Sequence, residues 1–291
     1  MKEKVVKVAG RKIKIGNLEK NLYPKDKITK DAVVDYYRKI ARFILPQVKD
    51  RALSTQHFPN GINNDGFYQK QVPDYYPSWI RRKKIKLHSG GSEKVAVIET
   101  EADLVYLASQ AVLTFHAWLS KISHLNRPDK IIYDLDPSPK NDLSEIKFAA
   151  KKLRSKLSTK GFNSYIMTTG SRGFHIVVPI KPDKDFDWVR NYSRKFAAEL
   201  AQEYPENFTV ETLKNNRRGR IFLDYLRNSY GQTAVCPYSL RALPGAPVAA
   251  PISWQELEKV KPQSFNISNI FERISAKGDP WGDFYSKAKK I

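Results

Sequence analysis

The sequence predicts an α+β protein with mixed, largely antiparallel central sheets flanked by helices. Three observations carry that reading. Apolar residues recur with period two in some segments and at helical spacing in others. The two kinds of segment mix without a regular strand–helix–strand rhythm. No stretch rich in Gly, Ser or Pro divides the chain, so residues 1–291 are expected to form a single domain.

Val5–Ala9 and Arg11–Ile15 alternate around Gly10 and predict a hairpin. Thr29 is placed to cap a helix running to about Leu45, with Val33, Tyr36, Tyr37, Ile40, Phe43 and Ile44 as its apolar stripe and Pro46 beyond its end. Residues 50–80 are turn-rich and hold the pair Phe67-Tyr68. The basic segment Arg81–Lys84 follows. Ser89-Gly90-Gly91-Ser92 then separates Lys84–Leu87 from Val95–Ile98, a second hairpin. Leu104, Leu107, Ala108, Ala111, Phe115 and Trp118 fall at helical spacing. Ile131–Leu135 reads as a short buried strand ending in Pro137-Ser138-Pro139. Ile146 to Leu157 predicts a helix stopped by Gly161. Two strands, Ser164–Thr169 and Phe174–Ile180, flank Gly170-Ser171-Arg172-Gly173. A helix over Trp188–Tyr204 and a strand over Ile221–Leu226 complete the pattern.

The 51 Lys and Arg residues against 30 Asp and Glu leave a net charge of +21, which points to a polyanionic partner, nucleic acid before membrane. The one cysteine, Cys236, excludes an intrachain disulfide framework and a Cys-rich zinc site. No apolar run reaches the ~20 residues of a membrane span. Met1–Gly16 alternates lysine with valine and isoleucine and has no signal-peptide core. The expectation is a soluble, cytoplasmic protein.

Tyr133-Asp134-Leu135-Asp136-Pro137 is the sharpest local feature. On a strand, Asp134 and Asp136 project from one face. Two carboxylates so close repel unless a cation or proton intervenes, and Mg²⁺ or Mn²⁺ takes such hard oxygen ligands. Asp224, in Ile221-Phe222-Leu223-Asp224-Tyr225, has a similar setting. Three strand-borne carboxylates can hold two ions for displacement at phosphorus. Taken alone, an Asp-x-Asp pair caps a turn or helix about as readily. Its apolar flanks and the basic chain around it favour metal. In Thr169-Gly170-Ser171-Arg172-Gly173-Phe174-His175, exposed backbone amides could form an anion nest, with Ser171, Arg172, His175 and, elsewhere, Arg241 as further donors. A plain hairpin turn is the simpler reading of that segment by itself.

Together these segments resemble the archaeo-eukaryotic primase superfamily: Asp134 and Asp136 as its first motif, Ser171–His175 as its second, Asp224 as its third. The closer resemblance is to the polymerase domain of bacterial ATP-dependent DNA ligase D and its stand-alone relatives. It rests on Asn17–Pro24, Phe67–Lys70, Asp134–Pro137, Thr169–His175, Pro237–Arg241 and Gly278–Trp281 and covers essentially the whole chain.

The resemblance implies a primase-polymerase catalytic core: a template-dependent nucleotidyltransferase of non-homologous end joining. It would add ribonucleotides, and less readily deoxynucleotides, to a DNA 3′ end at gaps or double-strand breaks. It further implies two divalent ions, Mn²⁺ or Mg²⁺, on Asp134, Asp136 and Asp224. Ser171, Arg172, His175, Arg241 and His116 would contact the nucleoside triphosphate. Lys20 and Lys30 would grip a downstream 5′-phosphate, where Gln56 stands in place of a further family lysine. Phe67 and Tyr68 would stack on template bases, and Arg217 lies in a basic loop that positions substrate. From the residues alone, His116 flanks an apolar helix face. No ligase or phosphoesterase segment is recognised, so Ku and a separate DNA ligase are the implied partners. A primer-independent primase, a gap-filling enzyme of excision repair and a non-catalytic end-binding module are the competing readings. Scarce cysteine argues against the primase, and the acidic triad against the binding module.

Overall fold

The computed structural model describes residues 2–88, 90–137 and 141–291, with Asp136 described by its backbone alone. Part of the expected Pro137–Pro139 turn, and Ser89 of the second hairpin, lie outside the described residues. In chain order the first elements are β1 (Lys4–Val8), β2 (Arg11–Ile15), β3 (Asn21–Tyr23), β4 (Ile28–Thr29), α1 (Lys30–Val48), β5 (Leu53–His57), β6 (Phe67–Gln69), β7 (Arg81–Lys86), β8 (Ser92–Val97), α2 (Glu101–Ser109) and β9 (Val112–Trp118). They are followed by β10 (Lys130–Asp136), α3 (Leu143–Thr159), β11 (Tyr165–Thr168), β12 (Phe174–Pro179), α4 (Phe186–Glu203), β13 (Phe208–Thr209), β14 (Ile221–Asp224), β15 (Thr233–Val235), β16 (Pro251–Ile252) and α5 (Ile270–Lys277). The α+β expectation holds: among the described residues every strand pair is antiparallel except β13 with β14.

The chain forms two compact units. The first takes in Met1–Trp118, Thr233–Ala249 and Phe265–Ile270. Its main sheet has the order β15-β9-β5-β6. The β1–β2 hairpin turns at Ala9 and Gly10, both at positive φ (45° and 73°), as a two-residue turn matching strand twist requires. Thr29 caps α1, its hydroxyl accepting from the Ala32 N–H. The helix does not stop before Pro46 as its sequence suggests. Pro46 lies inside it and the last turn runs to Val48, closed by Lys49 N–H on Leu45 O (2.9 Å). A proline this near the end removes one backbone donor without breaking the rest of the helix.

A second departure matters more for function. The helical spacing from Leu104 to Trp118 covers two elements. α2 ends at Ser109, Ala111 takes a left-handed conformation (φ 59°), and residues 112–118 leave as the central strand β9. All of β9 except His116 is buried, so its apolar residues show no two-fold alternation and mimic a helix in the sequence. His116 therefore stands on a strand, opposite Ser54 and Val235, rather than on a helix.

The second unit takes in Leu119–Gln232, Ala250–Ser264 and Phe271–Ile291. Its sheet runs β13-β14-β10-β12-β11-β16, with β10 between β14 and β12. α3, with Asp142 as N-cap, and α4, with Asp185 as N-cap, supply the buried stripes Ile146, Ala149, Ala150, Leu153, Leu157 and Val189, Phe196, Ala197, Leu200. Tyr133 of β10 meets Phe196 of α4 (ring centroids 5.6 Å). Strand alternation then turns its neighbour Asp134 to the opposite face.

A buried ion pair fastens the later part of this unit. The Glu256 carboxylate accepts from Arg273 (Nη2 2.6 Å, Nε 3.2 Å) and from Lys277 (3.2 Å), and also takes the Ser253 N–H (2.8 Å). Burial alone would push Glu256 up. Those hydrogen bonds and the Arg273 charge outweigh it and hold the carboxyl at about 2, against an ordinary 4.5. A depressed carboxylate stabilises the fold above the unfolded-state value and loses that contribution as pH falls towards the folded one. Glu256→Ala is expected to cost about 3–5 kcal/mol at pH 7, since it takes the carboxylate away from a buried guanidinium. Urea unfolding at pH 7 and pH 3 checks this: the gap between wild type and variant should narrow at the lower pH.

Candidate active site

Three adjacent strands of the second unit bring the acidic residues together. Asp134 of β10 stands opposite Asp224 of β14 on one side and opposite His175 of β12 on the other. Asp136 lies two residues along, its backbone opposite Phe222. Directly opposed strand residues project from the same face, so one face carries Asp134, Asp224 and His175.

The carboxylates are mostly buried, 18% exposed for Asp134 and 14% for Asp224. Each has one oxygen turned to a group of the protein: Asp224 Oδ1 accepts the Leu226 N–H (2.7 Å), and Asp134 Oδ1 lies 3.4 Å from His175 Nε2. The second oxygens, Asp134 Oδ2 and Asp224 Oδ2, face a single guanidinium, that of Arg227, at 3.6 and 3.8 Å. Both separations exceed a hydrogen bond. Among the described residues no group of three His, Cys, Asp or Glu side chains forms a metal cluster; the Asp136 side chain lies outside them. The described pair supplies hard oxygen donors in a setting where two negative charges need a counter-cation, which fits a divalent ion such as Mg²⁺ or Mn²⁺.

The loop after β11 departs from its expected form. Its amides are not all open to an anion, because the Thr169 hydroxyl engages two of them. Thr169 Oγ1 accepts from Ser171 N and Gly173 N (3.3 Å each) and donates to Gly173 O (3.1 Å). A side chain has thus already engaged two of the donors that an anion nest would offer. Of the loop's side chains, Arg172 is exposed and Ser171 half-buried. His175 is buried, and its Nδ1 has no hydrogen-bond partner among the described residues. Gly173 is required for another reason. A Cβ there would stand 2.5 Å from Leu135 O, so the loop lies directly on the backbone between Asp134 and Asp136.

Arg217, expected on DNA, is buried. Its guanidinium donates to Glu211 O (3.2 Å) and Thr212 O (3.0 Å) and lies 4.2 Å from the Phe222 ring centroid. Here it anchors the 211–220 loop, while Arg218 beside it is exposed.

The remaining candidates belong to the first unit. Lys20 Nζ donates to Asn60 Oδ1 (2.9 Å). Lys30 is shifted down, by burial first and then by the charge of Lys20, so two cations stand near each other. Gln56 is half-buried on β5, opposite Tyr68 and Thr114. Phe67 and Tyr68 are exposed, 48% and 59%. Phe67 stacks flat on His57 (5.0 Å, 7°), which leaves its other face for a planar ligand, and Tyr68 lies beside His116 (5.7 Å). The segment carrying Arg241 is held by three tyrosine hydroxyls. Tyr23 donates to Arg241 O (2.9 Å), Tyr36 to Tyr238 O (2.7 Å), and Tyr37 accepts from Leu240 N (2.9 Å). Tyr238 itself sits at φ 65°, a strained conformation that these bonds help to hold.

Residues 29–281 match the family model described as LigD, primase-polymerase domain. The chain belongs to that family. It is a nucleotidyltransferase, a polymerase of the primase-polymerase type. It is 32% identical over 94% of its length to the bifunctional non-homologous end joining protein LigD of Bacillus subtilis, covering 44% of that protein. It is 30% identical over 92% of its length to the multifunctional LigD of Mycolicibacterium smegmatis, covering 35%. It thus spans less than half the length of these relatives. The solved polymerase domain of Mycobacterium tuberculosis ligase D, in complex with DNA, aligns with a TM-score of 0.88 at 26% identity, over 95% of this chain and 99% of that one.

Sequence reading missed Arg227, Asn228, Thr169, His57 and the three tyrosines. Arg227 and Asn228 follow Asp224 closely, and that proximity was the one available signal. The tyrosines act on a segment more than 200 residues away. Gly173→Ala should test the loop contact. The added methyl forces the loop off Leu135, with an expected loss of about 1–3 kcal/mol in stability and a rise in nucleotide KM, checked by thermal melting and steady-state primer extension.

Proposed function

We propose that this polymerase domain extends a DNA 3′ end against a template at gaps and double-strand breaks, in non-homologous end joining, and that it prefers ribonucleotides over deoxynucleotides. The observation that supports this best is the register of β10, which sets Asp134 against Asp224 and His175 on neighbouring strands. Asp134, Asp136 and Asp224 would hold two divalent ions, Mn²⁺ or Mg²⁺. Bound there, the ions would activate the primer 3′-hydroxyl and stabilise charge on the departing pyrophosphate.

The chain's own groups do the rest. Ser171, Arg172, His175, Arg241 and His116 bind and orient the triphosphate. Arg172 and Arg241 supply forked donors suited to phosphate oxygens. Phe67, backed by His57, stacks on a template base with Tyr68 alongside, each such stack being worth about 1–3 kcal/mol. Lys20 and Lys30 hold a downstream 5′-phosphate. Arg217 serves the DNA side by anchoring the 211–220 loop; a direct contact would require its guanidinium to leave the Glu211 and Thr212 carbonyls. Two of the relatives are named as non-homologous end joining proteins and the matched structure is a DNA complex, which supports both the pathway and the substrate. Ku and a separate DNA ligase are the partners this role needs, and acting on DNA it would work at the nucleoid in the cytoplasm. Among the described residues no helix is long and apolar enough to cross a membrane.

Asp134→Ala and Asp224→Ala are expected to abolish extension of a 5′-phosphorylated gapped duplex with Mn²⁺ while DNA affinity stays within about twofold. Wild-type turnover by either variant would remove the carboxylates from the reaction. The same assay run with each nucleotide sugar decides the ribonucleotide preference. DNA affinity should fall linearly on a log–log plot against salt, because phosphate neutralisation releases counterions.

Lys20→Ala and Lys30→Ala should each erase most of the preference for a 5′-phosphate over a 5′-hydroxyl. Since the Lys30 shift is downward, that preference should decline at a lower pH than an ordinary lysine would allow. Titrating the two substrates by fluorescence anisotropy from pH 7 to 10 measures it.

A further inference from the structure

We propose that Asn228 is a positioning residue for the metal-binding carboxylates. Its side-chain amide replaces a missing strand partner and locks the turn that orients Asp224 against the strand that carries Asp134. This rests on the metal-binding reading given above.

The argument starts from an interrupted ladder. β10 and β14 pair Asp136 with Phe222, Leu135 with Leu223 and Asp134 with Asp224. Continued by two residues, the same register would set Ile132 opposite Leu226. β14 ends at Asp224, however. Tyr225 turns the chain (φ −95°, ψ −8°) into a 3₁₀ turn over Leu226–Asn228. Ile132 is 5% exposed, so its backbone groups on that edge would be left without a strand partner and without water. Buried backbone donors and acceptors left unpaired are costly.

Asn228 fills the gap. It is fully buried. Its Oδ1 accepts the Ile132 N–H (2.8 Å), and its Nδ2 donates to Ile132 O (2.9 Å), which reproduces the two-bond exchange of a peptide group. Nδ2 also donates to Tyr225 O (3.0 Å), tying the start of the turn to its end. The turn so held does two things at the acidic pair. The Leu226 N–H fixes Asp224 Oδ1 (2.7 Å), which leaves Oδ2 facing Arg227, and Arg227 itself is carried between Leu226 and Asn228. A primary amide suits the place because it offers one acceptor and two donors in a plane. Aspartate lacks the donors, alanine lacks both, and glutamine sets them one methylene further out. Asn228 thus acts on the metal through Asp224, as outer residues around metal ligands do.

The test compares wild type, Asn228→Ala, Asn228→Ser and Asp224→Ala. Mn²⁺ binding to DNA-free protein is measured by calorimetric titration. Extension is measured against Mn²⁺ and against nucleotide, and folding by circular dichroism and thermal melting. Folded Asn228→Ala is expected to weaken Mn²⁺ binding by about 10–100-fold and to raise the half-saturating Mn²⁺ for extension in step, with DNA affinity and nucleotide KM within about twofold of wild type. Mn²⁺ binding within twofold of wild type in folded Asn228→Ala overturns the proposal, whatever the melting temperature. Should the alanine variant fail to fold, the smaller polar change Asn228→Ser decides by the same criterion; if both fail to fold, the residue is structural only and the proposal falls. Asp224→Ala separates the two levels of the argument. Undiminished Mn²⁺ binding there removes the metal reading itself, whereas its loss there with normal binding in the Asn228 variants removes only the role given to Asn228.

Discussion

Like charge held in place by a β-ladder is the constraint on which the second unit turns. β10 is an interior strand, paired on both sides, and cannot slide without turning every side chain to the other face. Its register sets two carboxylates opposite each other on adjacent strands. Left alone they repel. The backbone hydrogen bonds of three strands, and the buried Tyr133 and Leu135 on the alternate face, hold them there. The pair is therefore positioned by the sheet itself, and a nearby positive charge lowers its electrostatic cost.

The surroundings of that pair carry a consistent division of labour. Neutral groups fix geometry: the Leu226 N–H on Asp224, the Asn228 amide on Ile132, the Thr169 hydroxyl inside the 170–173 loop. Charged groups are left partly solvated: Arg227 stands off at more than hydrogen-bond distance, and Arg172 and Arg218 are exposed. A phosphate-transfer site benefits from that split, since positions must persist while charge is redistributed during reaction. The first unit follows the same logic. Three tyrosine hydroxyls hold the Arg241 backbone, and the His57 ring backs Phe67 while one ring face stays outward.

Much of the fold was legible in the chain. The β1–β2 hairpin, the cap at Thr29, the two strands around Gly170–Gly173 and the carboxylate strand all announce themselves through periodicity, glycine and capping residues. At β9 the reading failed because of burial. β9 is covered on both faces, and a strand without a polar face loses the two-fold pattern that identifies it. The Pro46 stop failed because a proline in a last turn removes a single bond. The open anion nest is curtailed because the Thr169 hydroxyl, two and four residues away, engages the Ser171 and Gly173 amides.

What the sequence determined by itself is the chemical inventory: a strongly basic chain, Asp134 and Asp136 on one strand, a third carboxylate at Asp224, and family motifs in their order. Local spacing suffices for these, because side-chain type and strand period are properties of short segments. The tertiary structure alone decided which groups meet. That Asp134 faces both Asp224 and His175, that Arg227 spans the two acids, and that Asn228 completes a strand 96 residues away are matters of register between distant strands. Register is set by cooperative packing of the whole sheet, so no short segment contains it.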